Sequence, residues 1–251
     1  MASAKDIVLR PISAQAANAL VRRVHYSGKV VNNSQFHIGV FLGGRLEGAM
    51  QFGPSIDKRR LSGLVSGTGW NQFIECNRMA FSEALPRNSE SRALSVAMRL
   101  LRKHAPHLLW VISFADATQC GDGAIYRASG FALTGIKRNN QILDVDGHRI
   151  AKKTLDNENY PRPGGRYYSR VLLESGQAHP LPGFQLRYVY FLDPSCRERL
   201  TVPILPYSEI ERRGAGMYRG KPRADSIAVD APGFHPGEGG STPTSALPGG
   251  G

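Results

Sequence analysis

Between Phe73 and Phe131 the chain alternates strand-like and helix-like patterns without a break, and this block restricts the fold more than any other feature. FIECNRMAF reads as a strand and SEALPRNSES as a polar loop. SRALSVAMRLLRKH reads as a helix, LLWVISFAD as a second strand, and the segment ending IYRASGF as a second helix. Ala93, Leu94, Ala97, Leu100 and Leu101 fall on one helical face and predict which side packs on the sheet. Strand and helix in alternation build a sheet with helices laid on it. In such folds ligands collect beyond the carboxyl ends of the strands.

The flanking segments extend this plan. Asp6–Arg10 reads as a short strand, and Ser13 stands where an N-cap would precede the helical run AQAANALVRRVHY. Gln35–Gly53 reads as a hairpin turning at Gly43-Gly44, a two-residue turn signal. ALTGIKRNN and QILDVDGHRI suggest further strands with a turn at Asp146-Gly147, and RYYSRVLLE and QLRYVYFLD are strand candidates rich in β-formers. The expectation is an α/β fold: a single mixed central β-sheet flanked by helices on both faces, with a β-rich C-terminal extension. Residues 1–155 are expected to form the core, 156–213 an extension packed on it, and 214–251 a disordered tail poor in hydrophobic pattern.

The chain has 251 residues and a formal net charge of +12. A surface so basic attracts polyanions, of which nucleic acid is the commonest. Lys58-Arg59-Arg60 and Lys137-Arg138 are candidate DNA-binding clusters, against the plainer reading of a solvated basic surface. No apolar run is long enough to span a membrane, and the N-terminus has no signal-peptide shape. Three widely spaced cysteines, Cys76, Cys120 and Cys196, point to a reducing cytoplasm.

Several residues could carry chemistry. Arg87, Ser89, Ser91 and Arg92 surround the start of a helix, where backbone N–H groups and the dipole favour an anion; a simple helix cap is the equal alternative. Tyr126 is either a hydroxyl donor or a packing ring. Asp116, at the end of a hydrophobic strand, is placed for catalysis or for capping the next helix. Arg78 lies inside a strand, so it either pairs with Glu75 or Asp116 or faces a cleft. His25 ends a helix, where a positive imidazole is favoured and a structural role is common. Trp70 and Tyr26 are stacking candidates, with core packing the stronger reading for Trp70. The pair His104 and His107 lacks a second ligand pair, and no metal site is assigned.

The order of hairpin, loop-to-helix at Arg87–Ser91 and Tyr126-x-x-x-Gly130-Phe131 resembles the GNAT acetyltransferase superfamily. The chain departs from that superfamily in one respect: Arg87-Asn88-Ser89-Glu90-Ser91-Arg92 contains no glycine, and Glu90 is negative. More specifically, AANALVRRVHYSGKV, FGPSIDKRRL, GTGWNQFIECNRMAF, ALPRNSESRALSVAMRLLRKHAP and SFADATQCGDGAIYRASGF resemble the Mom family of bacteriophage DNA-modification proteins. The resemblance implies a GNAT-like enzyme that converts adenine in phage DNA to N6-carbamoylmethyladenine and so protects it from host restriction endonucleases. It implies His25, Arg78, Ser91, Asp116 and Tyr126 as the catalytic set, double-stranded DNA with a flipped adenine as the substrate, and acetyl-CoA and iron as candidate cofactors. Two other readings fit the residues: an N-acetyltransferase acting on a protein or small amine, and a non-catalytic DNA-binding protein that blocks restriction sites by occupancy.

Overall fold

The structure, a computed structural model, describes residues 2–223. Its centre is a seven-stranded mixed sheet. In chain order the elements are β1 (Val8–Pro11), α1 (Ala14–Val24), β2 (Phe36–Leu42), β3 (Arg45–Gly53), α2 (Lys58–Ser62), β4 (Phe73–Phe81), α3 (Ser89–His104), β5 (Trp110–Ala117), α4 (Ala124–Ala128) and β6 (Ala132–Arg138). There follow β7 (Ile142–Val145), β8 (His148–Ala151), α5 (Lys152–Leu155), α6 (Tyr168–Glu174), β9 (Ala178–Pro180), β10 (Phe184–Phe191), α7 (Ser208–Arg212), β11 (Met217–Tyr218) and β12 (Lys221–Pro222). The central strands run β1-β2-β3-β4-β5-β10-β6, and only β4 and β5 pair in parallel.

Local chemistry explains the early elements. Ser13 Oγ accepts from the Ala16 N–H at 3.2 Å and starts α1 as expected. Gly43 and Gly44 have φ of 55° and 81°, the left-handed pair that a two-residue hairpin loop requires. Helices cover both faces of the sheet. Ala17 and Leu20 of α1 pack on Ala49, while Ala93, Leu94, Ala97, Met98 and Leu101 of α3 pack with Ile38, Val40, Met50 and Phe52. Ala49 and Met50 are successive strand residues, so these two helices lie on opposite sides. The α1 side also holds Trp110 and Ile112 of β5, buried with Phe73, Leu64 and Val189.

The C-terminal part departs from the sequence expectation in three places. RYYSRVLLE is not a strand: Tyr168–Glu174 is helix α6. Its buried residues Ser169 and Leu172 are three apart, and Arg170 pairs with Glu174 at 2.7 Å in an i,i+4 step, so helical periodicity outweighs the β-preference of the tyrosines. Residues 156–213 are not an extension on a finished core. Strand β10 sits inside the central sheet, antiparallel to β5 on one side and β6 on the other. A separate three-stranded sheet, β8-β7-β9, packs with α5 and α6 around Leu143, Leu155, Leu172 and Ala178. Finally, 214–223 is folded: Ala215 and Met217 are buried, and β11 and β12 form a hairpin. The rest of the expected tail lies outside the described residues. Trp70 is 59% exposed, with Lys58 Nζ 4.8 Å from its ring centre, so it is not a core residue.

Candidate active site

Strands β4 and β5 pair only where Phe73–Glu75 meets Trp110–Ile112, yet both continue past that point, to Phe81 and Ala117. They therefore part and leave a wedge in the sheet. Ser113, the first residue beyond the pairing on β5, sits at the apex. Its Oγ lies 3.0 Å from the Cys76 carbonyl and 2.7 Å from the Tyr126 hydroxyl. The wedge opens into a cleft of about 390 Å³. His25 and Tyr26, at the end of α1, line it from one layer; Glu90, Ile125 and Tyr126, from α3 and α4, line it from the other. Arg78 and Asp116 come from the parted strands themselves.

Arg78 is the electrostatic centre of the cleft. Its guanidinium forms no ion pair or hydrogen bond among the described residues, and its Nε is buried without a partner. Glu75, the carboxyl whose field acts on it, is pushed toward the neutral form by burial, against the opposing pull of its Ser55 hydrogen bond and of Arg78 itself. Burial lowers the pKa of Arg78, but a guanidinium stays charged. A half-buried cation without a hydrogen-bonded anion gains from a ligand that supplies one. The cleft is thus prepared for a carboxylate, phosphate or polarised carbonyl.

His25 reverses its sequence expectation. Burial, and then the positive Arg78, depress its pKa to about 4 despite the opposing pull of Asp116, so the ring is neutral at physiological pH. The helix-end dipole that favours a cation is outweighed. The backbone N–H of Ser27 donates to Nδ1 at 3.2 Å, which fixes the lone pair there and puts the ring proton on Nε2. Ser27 Oγ lies 2.9 Å from the same nitrogen. His25 therefore presents an N–H donor.

Asp116 is a heavily bonded carboxylate. Oδ1 accepts from the Thr118 N–H at 3.0 Å, the Thr118 hydroxyl, and Gln185 Nε2 at 3.1 Å. Oδ2 accepts from Gln119 Nε2 and the Tyr26 hydroxyl, each at 3.1 Å. It caps the turn after β5 and not α4, whose N-cap is Gly123. Tyr26 is held protonated: burial and the Asp116 charge push its pKa up. Its ring is half exposed and tilted against His25, centroids 4.4 Å apart.

Tyr126 both packs and lines the cleft. Its ring lies between Phe131 and Tyr188, with centroids 5.4 and 5.2 Å away. Burial drives its pKa well up, so the hydroxyl stays protonated and offers a hydrogen bond.

Other expected residues do not gather there. Ser91 is outside the cleft lining, and its Oγ donates to the Asn88 carbonyl at 3.2 Å. Ser89 is fully buried with its N–H on the Pro86 carbonyl at 3.1 Å. Neither serine caps α3; Asn88, at φ 69°, holds that position without a side-chain bond. Arg87 and Arg92 are exposed and also outside the lining, whereas Glu90 reaches it. Lys137 and Arg138 are exposed at the cleft end of β6. Asp116, Gln185 and Lys137 are direct neighbours across three strands, so Lys137 shares the face of Asp116. Lys58, Arg59 and Arg60 lie on α2, near the start of β4 and away from the cleft. His104 and His107 line a different, mainly apolar cavity of about 510 Å³.

Sequence reasoning missed Ser113 and the segment Met217–Arg219, which also lines the cleft, and weighed Glu90 only as a negative charge in the loop before α3. The two residues Arg219-Gly220 between β11 and β12 were a weak turn signal; nothing in sequence tied them to the cleft.

Two comparisons with known proteins agree in family. The model of the Mom protein family matches residues 6–209. The curated protein "Methylcarbamoylase mom" of Escherichia phage Mu is 34% identical over 203 residues, covering 80% of this chain and 81% of the relative. Among solved structures, the IAA acetyltransferase from Bacillus cereus is 12% identical, with a TM-score of 0.42, covering 74% of this chain and 99% of that one. The ribosomal-protein-S18-alanine N-acetyltransferase from Escherichia coli is 11% identical, with a TM-score of 0.41, covering 74% and 94%. On the family match and the phage Mu relative together, the chain belongs to the Mom protein family.

Proposed function

We propose that this protein is a DNA-modifying enzyme that converts adenine to N6-carbamoylmethyladenine and thereby shields phage DNA from host restriction endonucleases. The observation that carries the reading is the Arg78 guanidinium, without a hydrogen-bonded partner at the point where β4 and β5 part, flanked by a neutral imidazole, a carboxylate and a protonated phenol. The name of the phage Mu relative, a methylcarbamoylase, supports transfer of a group made of a methyl carbon and a carbamoyl; attachment to N6 through the CH₂ carbon rests on the resemblance to the Mom family.

The reaction forms a bond between adenine N6 and a CH₂ carbon. The donor's leaving group departs with its bonding pair, and N6 loses a proton. N6 is a weak nucleophile tied up in pairing, so the base is extruded from the duplex into the cleft. Arg78 and the Nε2–H of His25 hold and polarise the amide oxygen of the incoming group. Tyr126, kept protonated, hydrogen-bonds the leaving group through the apex shared with Ser113. Asp116 receives the N6 proton at Oδ2, where the base displaces the half-exposed Tyr26 hydroxyl. Lys137 and Arg138, at the same end of the sheet, take DNA phosphates. The α2 cluster is a second phosphate contact farther along.

The cofactors suggested by resemblance fit poorly. A diphosphate at the start of α3 would meet the Glu90 carboxylate, while the Ser89 and Ser91 groups are turned inward or bonded locally. Among the described residues no three His, Cys, Asp or Glu groups converge on one point. One imidazole and one carboxylate, each already bonded within the protein, fall short of the usual non-haem iron set. No step is therefore routed through coenzyme A or iron.

The test uses DNA from cells expressing the chain, stripped of protein and challenged with a restriction endonuclease whose site contains adenine. Covalent modification predicts resistance that survives deproteinisation. Resistance that vanishes with the protein would mean blocking by occupancy.

A further inference from the structure

The family match ends at residue 209, yet the cleft has a wall that begins after it. Strands β11 and β12 form a hairpin whose Met217, Tyr218 and Arg219 line the mouth. This hairpin is a built part of the site. Asp122, 2% exposed, forms ion pairs with Arg127 at 3.0 Å and Arg223 at 3.1 Å. The same carboxylate accepts from the Met217 N–H at 3.3 Å, and the Asp122 N–H donates back to the Met217 carbonyl at 3.0 Å. At the tip, the Gly220 N–H donates to the Cys120 carbonyl at 2.7 Å, tying the turn to the loop that follows β5.

What this anchored turn displays is an aromatic ring and a cation. Tyr218 is 57% exposed, and the Arg219 guanidinium carbon lies 5.6 Å from its ring centre. Arg219 has φ 48° and Gly220 φ 74°, a pair of left-handed positions where Asn or Gly is favoured at the first residue. An arginine there is a conformationally unfavourable choice, which its side chain must justify. Tyr26 and Phe114, 50% and 39% exposed, line the same mouth. Exposed aromatic faces beside arginine match what unpaired nucleic acid offers, a base to stack and a phosphate to pair.

We propose that the 217–222 hairpin is a nucleic-acid-binding lip of the cleft: Tyr218 stacks on a base beside the extruded adenine, and Arg219 contacts an adjoining phosphate. The proposal rests on the DNA-modifying reading and extends it to an element outside the matched family region.

The experiment measures binding of the full-length protein to a fluorescein-labelled, adenine-containing duplex by fluorescence anisotropy, over a series of salt concentrations. Tyr218→Ala is expected to raise Kd about tenfold, with Tyr218→Phe within about twofold of wild type. Arg219→Gly, which relaxes the turn, is expected to lower the slope of log Kd against log salt by about one. Thermal melts of the three variants that overlay wild type exclude unfolding; should Tyr218→Ala melt early, the Phe and Arg219→Gly arms decide. Wild-type affinity in Tyr218→Ala, equal loss in Tyr218→Phe, or an unchanged salt slope in Arg219→Gly overturns the lip. Wild-type protein that does not bind or modify DNA sinks the functional reading itself. Wild-type protein that does both, with indifferent hairpin variants, sinks only the lip.

Discussion

Arg78 is half-buried and forms no ion pair or hydrogen bond among the described residues, with the field of Glu75 acting on its charge, and this makes stability and activity pull apart. Replacing it by Met removes a half-buried cation without a hydrogen-bonded partner while keeping volume. The melting temperature of Arg78→Met should stay level or rise by about 2–4 °C, as roughly 1 kcal/mol does in a chain of this size. Product should fall by about 100-fold or more. Scanning calorimetry and nucleoside mass spectrometry read the two effects; a strongly destabilised variant would show that Arg78 has a structural partner. At His25 the prediction concerns pH. Its folded pKa, about 4, is below the ordinary 6.5, so the unfolded chain binds the proton more readily. The stabilising contribution is whole above pH 6.5 and is lost as pH falls toward 4, by roughly 2–3 kcal/mol if His25 acts alone. His25→Gln should flatten that part of a urea-midpoint profile against pH, and an unaltered slope would contradict the assignment. Arg78 was legible because a guanidinium inside an apolar strand demands an explanation. The protonation state of His25 was not, because it depends on burial and on Arg78, a residue distant in sequence.

At the scale of elements, the cleft depends on two strands that part and on a tight turn before α4. Gly123 has φ 85°, and a Cβ there would lie 2.4 Å from the Tyr188 ring. The Tyr188 hydroxyl donates to the Asp122 carbonyl at 2.6 Å, so the ring cannot easily withdraw. Gly123→Ala should cost about 2–4 kcal/mol in urea unfolding; a loss under about 0.5 kcal/mol would mean the turn gives way freely. Apart from the short α2, the helix, hairpin and strand positions up to Phe131 were readable, because caps, paired glycines and periodicity are local. The parting of β4 from β5 was not, since pairing register is written in contacts between segments. For the same reason the anion cradle expected at Arg87–Arg92 did not form at the cleft: local spacing revealed a helix start but not which way its serines turn.

The whole molecule is bound together by β10, which joins β5 to β6 across the sheet. A boundary near residue 155, natural on composition, would cut the sheet, leaving β6 without a partner and β5 paired only with β4 at Trp110–Ile112. A fragment of residues 1–155 should therefore lack a cooperative thermal transition by circular dichroism; a sharp two-state melt would contradict this. Basic charge was legible at this scale, while the placing of Lys137 beside Asp116 required the register of β5, β10 and β6. The central claim is that the Arg78 cleft acts on DNA adenine. Nucleoside mass spectrometry of DNA from cells expressing the wild-type chain or its Arg78→Met variant tests it most directly. The account predicts a deoxyadenosine species heavier by one carbamoylmethyl group with the wild type, and at most a trace of it with folded Arg78→Met. Unmodified deoxyadenosine in the wild-type sample, or equal modification in both, would contradict it.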